Sequence, residues 1–288
     1  MRARPGTDVK TRIVAVESGE PTPRFDRLAT EEPLEIRLQA GHQRRSVAVT
    51  MRTPGADFEL AAGFLYSEGV VADKDAIRAM SYCVDRDLDE RQQLNVVNVD
   101  LAAPRLPDLD ALERNFFVSS ACGVCGKTAV DSLRLGRRPT ISAGPELRPD
   151  VFAGLPERLR AAQDVFSSTG GLHAAALFDG GGELIAVRED VGRHNALDKL
   201  VGWALVDGRL PLADRIVLVS GRASFELVQK CAMAGAPVLC AVSAPSSLAV
   251  ELADGVGITL IGFLRSSRFN VYAHPERVRL ETAAARPN

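Results

Sequence analysis

Along the first hundred residues, apolar and polar positions alternate in short stretches. Arg12–Glu17, Leu34–Leu38 and Ser46–Met51 carry the period-two pattern of half-buried strands, and Leu94–Leu101 holds a β-branched run of the same class. Between them, Thr53-Pro54-Gly55-Ala56-Asp57 predicts a turn that feeds a helix over Phe58–Ser67. There Phe58, Ala61, Ala62 and Leu65 share a face, and Gly69 marks the stop. Ala102–Leu112, with Pro104 and Pro107, reads either as a linker or as a long surface loop within one domain.

From Phe116 onward the pattern changes. Leu172–Phe178 and Leu184–Arg188 are apolar runs joined by Asp179-Gly180-Gly181-Gly182-Glu183, a hairpin turn. His194–Val206 sets Leu197, Leu200, Val201, Ala204 and Leu205 on one helical face. Arg215–Val219, Val238–Val242 and Ile258–Leu264 follow as strands. They alternate with helices over Ala223–Ala234, closed by Gly235 and Pro237, and Ser246–Ala253. This alternation predicts an α/β layer fold with partly parallel strands. A smaller, mostly β amino-terminal domain of α+β character precedes it, the expected division being 1–112 and 113–288.

Composition narrows the function. The chain of 288 residues is 46% hydrophobic and 25% charged, as expected of a folded globular protein rather than a disordered one. Its 35 basic and 37 acidic residues leave a net charge of −2, which argues against a bulk nucleic-acid or membrane-surface binder but permits a local basic pocket. With 5% aromatics, a stacking platform for single strands is a poor fit. No apolar stretch reaches 18 residues and the amino terminus lacks the apolar run of a signal peptide, so the cytoplasm is the expected compartment. Five cysteines, an odd number in a chain of this length, do not read as a disulfide framework.

Ligands in open α/β sheets settle beyond the carboxyl ends of the strands. Three loops in that position carry suitable chemistry: Arg188–Asn195, Ser220-Gly221-Arg222-Ala223-Ser224 and Ser243-Ala244-Pro245-Ser246-Ser247. Each offers small hydroxyl residues or glycine at a helix entrance, and two carry arginine, which suits an anionic group. Ordinary amino-terminal capping accounts for any one of them.

The sharpest feature is Ser119-Ser120-Ala121-Cys122-Gly123-Val124-Cys125-Gly126-Lys127. Two cysteines three apart, separated and followed by glycine, can bring both sulfurs to one centre, and Lys127 favours the thiolate, which is the nucleophile. Half of a zinc site, thiol–disulfide exchange and sulfur transfer through a persulfide all fit. The first lacks a second paired spacing and the second lacks its usual strand context. Cys83, Cys231 and Cys240 sit in contexts that favour burial. Gly126-Lys127-Thr128 fails as a phosphate loop because Ala121 stands where glycine is needed, and His274-Pro275-Glu276 lacks the paired cysteines of zinc deaminases. His173, at the start of an apolar strand, reads equally as a buried or a catalytic histidine. His194, beside Arg193 at a helix start, reads as an acid/base or an anion donor.

Six ordered blocks resemble the FdhD family of formate dehydrogenase accessory sulfurtransferases. They are CGVCG at 122–126, TGGLHAAAL at 169–177, REDVGRHNALDKLVG at 188–202, SGRASFELVQKCAMAGAP at 220–237, SAPSSLAVELA at 243–253 and GFLR…RFNVYAHPERV at 262–278. RTPGADFELAAGFLYSEG at 52–69 is similar too. The resemblance implies a factor that accepts sulfur from a cysteine desulfurase as a persulfide on Cys122, with Cys125 assisting. It passes that sulfur to the molybdenum of bis-molybdopterin guanine dinucleotide, for the catalytic subunit of formate dehydrogenase. It also implies a cofactor-binding segment at Phe263, Leu264, Arg265, Ser266, Ser267 and Arg268, a larger domain of cytidine-deaminase-like fold without its zinc-site residues, and a homodimer. A competing reading is a non-catalytic chaperone that binds cofactor or apo-enzyme and uses the dithiol only to hold metal; a zinc-dependent hydrolase is a third.

Overall fold

The computed structural model describes residues 6–85, 89–109, 139–266 and 268–279. In chain order the strands are β1 (Asp8–Glu17), β2 (Glu20–Ala29), β3 (Glu32–Ala40), β4 (Gln43–Arg52), β5 (Ile77–Tyr82), β6 (Val96–Leu101), β7 (His173–Phe178), β8 (Leu184–Asp190), β9 (Ile216–Val219), β10 (Val238–Ala241), β11 (Thr259–Arg265) and β12 (Arg268–Ala273). The helices are α1 (Asp57–Ser67), α2 (Glu90–Leu94), α3 (Pro149–Ala153), α4 (Leu155–Ala161), α5 (Asp164–Thr169), α6 (Arg193–Val206), α7 (Phe225–Met233) and α8 (Ser247–Val256). The α/β class expected from the alternating pattern is what the chain adopts. None of the helices among the described residues is long and apolar enough to cross a membrane.

Two compact units emerge, each discontinuous in sequence. The first holds the described residues up to 109 together with Gln163–Ala174 and Arg188–Arg209; the second holds 139–162, Ala175–Val187 and 210–279. The expected boundary between 112 and 113 lies outside the described residues. A single cut there does not reproduce the units, because α6 packs with the amino-terminal elements.

In the first unit β1 and β2 form an antiparallel hairpin. Pro21 and Pro23 hid β2 from a reading of pattern; they stand opposite Val16 and Val14, and an edge strand tolerates residues with no N–H to give. A second sheet runs β4-β3-β6-β5, with β3 and β6 parallel. Along β3, Leu34, Ile36, Leu38 and Ala40 are fully buried while Glu35, Arg37 and Gln39 between them are not, so the sequence alternation is realised as a two-faced strand.

Helices α1 and α6 cross at Gly63 and Gly202. A Cβ on Gly202 would lie 1.8 Å from the Glu59 carbonyl oxygen, and one on Gly63 would lie 1.8 Å from that of Asp198. Only glycine permits this backbone approach. The crossing buries α6 well beyond the single apolar face expected of it, taking in Asn195, Asp198 and Lys199 as well as Leu197, Leu200 and Val201.

The second unit is built on one sheet of order β12-β11-β10-β9-β7-β8. Strands β9, β10 and β11 are parallel, joined by α7 and α8, while β7 pairs antiparallel with β9 and β12 with β11. All residues of β9 and β10 are buried, the mark of strands covered on both faces, and each buried Val, Leu or Ile contributes about 1.5–3 kcal/mol. Gly235 (φ 69°) and Gly257 (φ 85°) end α7 and α8 in the left-handed region. For that reason α8 runs to Val256, three residues past the expected Ala253. Buried Arg277 donates to the carbonyls of Ala143 (2.6 Å) and Ser142 (2.9 Å) and to Thr259 Oγ1 (3.1 Å), fastening that segment to β11.

Candidate functional site

The carboxyl ends of β9, β10 and β11 release three loops that are hydrogen-bonded to one another in order. Ser243 N donates to Gly221 O (3.2 Å), Ala223 N to Ala244 O (3.2 Å), Ser246 N to Ala223 O (3.0 Å) and Phe263 N to Ser243 O (3.0 Å). Two of the three loops picked out by their serine, glycine and arginine content thus form one continuous rim with the Phe263–Arg268 segment. The third, Arg188–Asn195, belongs to the first unit.

The strand β11 is irregular where it meets this rim. Its register with β12 shifts between Gly262 and Arg265, and Phe263 adopts a left-handed backbone, φ 51°, with 38% of its surface exposed. A non-glycine residue there costs on the order of 1–2 kcal/mol, and an aromatic ring held strained and in water is better explained by what it meets than by packing. Gly262 before it has no room for a side chain, since a Cβ would lie 2.8 Å from Pro245 Cδ and 2.9 Å from Tyr272 Cε2. Leu264 points inward and is fully buried. Of the segment read as a cofactor site, then, Phe263, Arg265, Ser266 and Arg268 are presented to solvent and Leu264 anchors them; Ser267 lies outside the described residues.

Arg265 and Arg268 stand opposite each other across the β11–β12 turn, and like charges so placed are destabilising without a counter-ion. Both are exposed, as is Arg222 on the neighbouring loop, and none of the three makes an ion pair among the described residues. Their fork-shaped donors suit phosphate or carboxylate oxygens bidentately. Ser246 is accounted for locally, its side chain accepting from Ala249 N (3.3 Å) to cap α8.

The other candidates resolve one by one. Cys122 and Cys125 lie outside the described residues. Cys231 and Cys240 are fully buried; burial pushes the Cys231 thiol up to about 12 and raises Cys240 likewise, so neither supplies a thiolate near neutral pH. Cys83 is buried too. His274 binds Glu276 Oε1 (2.7 Å) and the Asp254 carbonyl (2.9 Å); that carbonyl first, then the Glu276 carboxylate, raises its pKa and makes it a structural pin. His173 opens β7, and its pKa is lowered by burial first and then by the nearby Arg193 and His194.

What the sequence did not disclose is the buried polar framework of the first unit. Asp190, fully buried, accepts from Lys199 Nζ (2.7 Å), Gly192 N (2.8 Å), Thr53 N (3.1 Å) and Asn195 Nδ2 (3.1 Å). Lys199 also donates to the Thr53 carbonyl (2.9 Å), and Asn195 to that of Met51 (2.7 Å). Arg52 and Asp57 pair at 3.0 Å, both buried, with Tyr82 donating to the same carboxylate (3.1 Å). These residues pin the loop 190–195 to β4 and leave no donor or acceptor of Asp190 wanting.

Residues 29–279 match the family model described as the FdhD/NarQ family. The sulfur carrier protein FdhD of Streptomyces avermitilis is 54% identical over 279 residues, 96% of this chain and 97% of that one. The protein of the same name from Mycobacterium tuberculosis is 49% identical over 272 residues, 93% and 97% of the two chains. A crystal structure described as a formate dehydrogenase accessory protein from Desulfotalea psychrophila superposes with a TM-score of 0.73 at 25% identity, covering 94% of this chain and 99% of that one. A family model matched over residues 29–279 and relatives about half identical over nearly the full length of both chains show that the chain belongs to the FdhD/NarQ family.

Proposed function

We propose that this chain is a sulfur carrier in the service of formate dehydrogenase, working through a persulfide on Cys122. Relatives at 54% identity that bear the name sulfur carrier carry most of this reading, and the glycine-flanked Cys122–Cys125 pair supplies its chemistry. The Cys122 thiolate attacks the outer sulfur of a cysteine desulfurase persulfide, forming Cys122–S–SH and releasing the desulfurase thiolate. Attack of the Cys125 thiolate on the inner sulfur then frees the outer one as sulfide for the molybdenum of bis-molybdopterin guanine dinucleotide. It leaves a Cys122–Cys125 disulfide for a thiol reductant to reopen. The unpaired Arg222, Arg265 and Arg268 and the exposed Phe263 would hold the dinucleotide, the arginines on phosphate oxygens and the ring against a base. A cytoplasmic homodimer completes the reading.

The test is mass analysis of the persulfide after incubation with a desulfurase and cysteine. A gain of one sulfur on the wild type, absent from Cys122→Ala, is the expected result. A Cys122→Ala variant that still carries sulfur and supports formate dehydrogenase overturns the assignment. A Cys122/Cys125 double alanine variant that matures the enzyme normally points instead to a chaperone.

A further inference from the structure

The first unit holds five arginines and lysines that are not exposed among its described residues: Arg37, Arg52, Arg188, Arg193 and Lys199. Four of them meet a carboxylate. Arg37 pairs with Glu35 (2.6 Å), Arg52 with Asp57 (3.0 Å), Arg188 with Glu59 (2.8 Å) and Lys199 with Asp190 (2.7 Å). Arg193 meets none: it makes no ion pair or side-chain hydrogen bond among the described residues, and its Nε is buried without a partner. A guanidinium Nε withdrawn from water with nothing to accept its proton opposes folding, while the half-buried side chain keeps the rest of its fork within reach of a ligand.

Its surroundings add positive charge rather than cancelling it. His173, from β7, and His194, next to Arg193 on α6, are both partly buried, and His173 lies close enough to feel the charge of Arg193 and of His194. The carboxylate that faces them, Asp190, is already spent on four donors of the framework. Arg193 and His194 also sit on the first turn of a 14-residue helix that has no capping side chain and no acidic residue in that turn.

We propose that His173, Arg193 and His194 form an oxyanion site in the first unit, one that takes a tetrahedral phosphate, free or as an ester. This inference does not depend on the sulfur-carrier reading. Arg193 supplies the charge and the forked donors, the two imidazoles supply ring N–H groups, and the helix start supplies backbone N–H groups.

The experiment is a titration of the full chain with inorganic phosphate and, separately, with a nucleoside diphosphate, followed by NMR of the histidine rings. It is run in an Arg222→Gln/Arg265→Gln/Arg268→Gln background, so that the rim of the second unit is silent. Saturable binding near or below about 1 mM is expected. It should weaken roughly tenfold or more in Arg193→Met, as loss of a charged donor implies. Because the buried, unpartnered Nε opposes folding, the same variant should melt about a degree or two higher without ligand. Saturation by phosphate alone identifies a free-phosphate site, and saturation by the diphosphate alone an ester site; either supports the proposal. Absence of saturable binding of both overturns it, as does unchanged affinity in Arg193→Met. Should Arg193→Met fail to fold, His173→Asn must lose affinity instead, and equal binding there overturns the proposal.

Discussion

The two units use charge in opposite ways. In the first, charged groups are consumed internally: Arg52 by Asp57 and Lys199 by Asp190, both withdrawn from water, and Arg188 by Glu59 in a half-buried pair. In the second, the centre is an apolar parallel sheet, and Arg222, Arg265 and Arg268 stand unpaired at its carboxyl edge. A charge already satisfied fixes the fold, whereas a charge left unsatisfied is available to a ligand. Arginine is thus mostly tied into the framework of the first unit, Arg193 excepted, and left unpaired at the rim of the second.

The comparison breaks most severely at the helix crossing. Gly202→Ala places a Cβ against the Glu59 carbonyl at 1.8 Å, and neither α1 nor α6 can yield without opening the interface that carries the Asp190 framework. The loss should exceed about 4 kcal/mol, seen as failure to fold or a collapsed urea midpoint. Gly180→Ala in the second unit meets only Pro145 Cβ at 3.3 Å and should change the midpoint by less than about 1 kcal/mol. Equal effects would show that the close approach is not what holds the first unit together.

Next in size is the buried pair. Lys199→Met leaves the Asp190 carboxyl buried without its cation, which should lower stability by about 3–5 kcal/mol in denaturant unfolding. Arg265→Gln, by contrast, removes a charge that pairs with nothing, so stability should hold within about 0.5 kcal/mol. Its guanine nucleotide affinity should fall roughly tenfold by calorimetry, with persulfide formation on Cys122 unchanged. Destabilisation by Arg265→Gln as large as that by Lys199→Met would erase the distinction between consumed and available charge.

How much of this was legible in the sequence follows the same division. The alternating strands and helices from Leu172 to Leu264 were readable because apolar runs bounded by glycine and proline encode a buried parallel sheet directly. The rim was readable for a similar reason, since serine, glycine and arginine clustered after those strands. The Asp190–Lys199–Thr53 framework was not, because its members are 137 and 146 positions apart in the chain. Buried, paired charges look like surface charges until the partner is known. Gly63 and Gly202 were equally silent, as a glycine inside a helix is read only as a weak helix former. Strand β2 was missed because prolines mark breaks, and edge pairing that forgives them is a tertiary fact.

The smallest effects sharpen the comparison through two histidines of opposite sign. In the first unit His173 is held below its ordinary pKa by burial and by Arg193 and His194. Its proton is bound more readily by the unfolded chain, so acid entering below about pH 6.5 should erode stability until the folded-state pKa is passed. In the second unit His274 is held above its ordinary pKa by the Asp254 carbonyl and the Glu276 carboxylate. That stability is fully present below about pH 6.5 and is lost as pH rises through the raised folded value. Urea midpoints between pH 5 and 8 should therefore fall less steeply on acidification in His173→Asn than in the wild type. In His274→Gln they should fall more steeply, each difference being at most about 1 kcal/mol. If both variants tilt the profile the same way, one of the two imidazoles is not in the environment its neighbours describe.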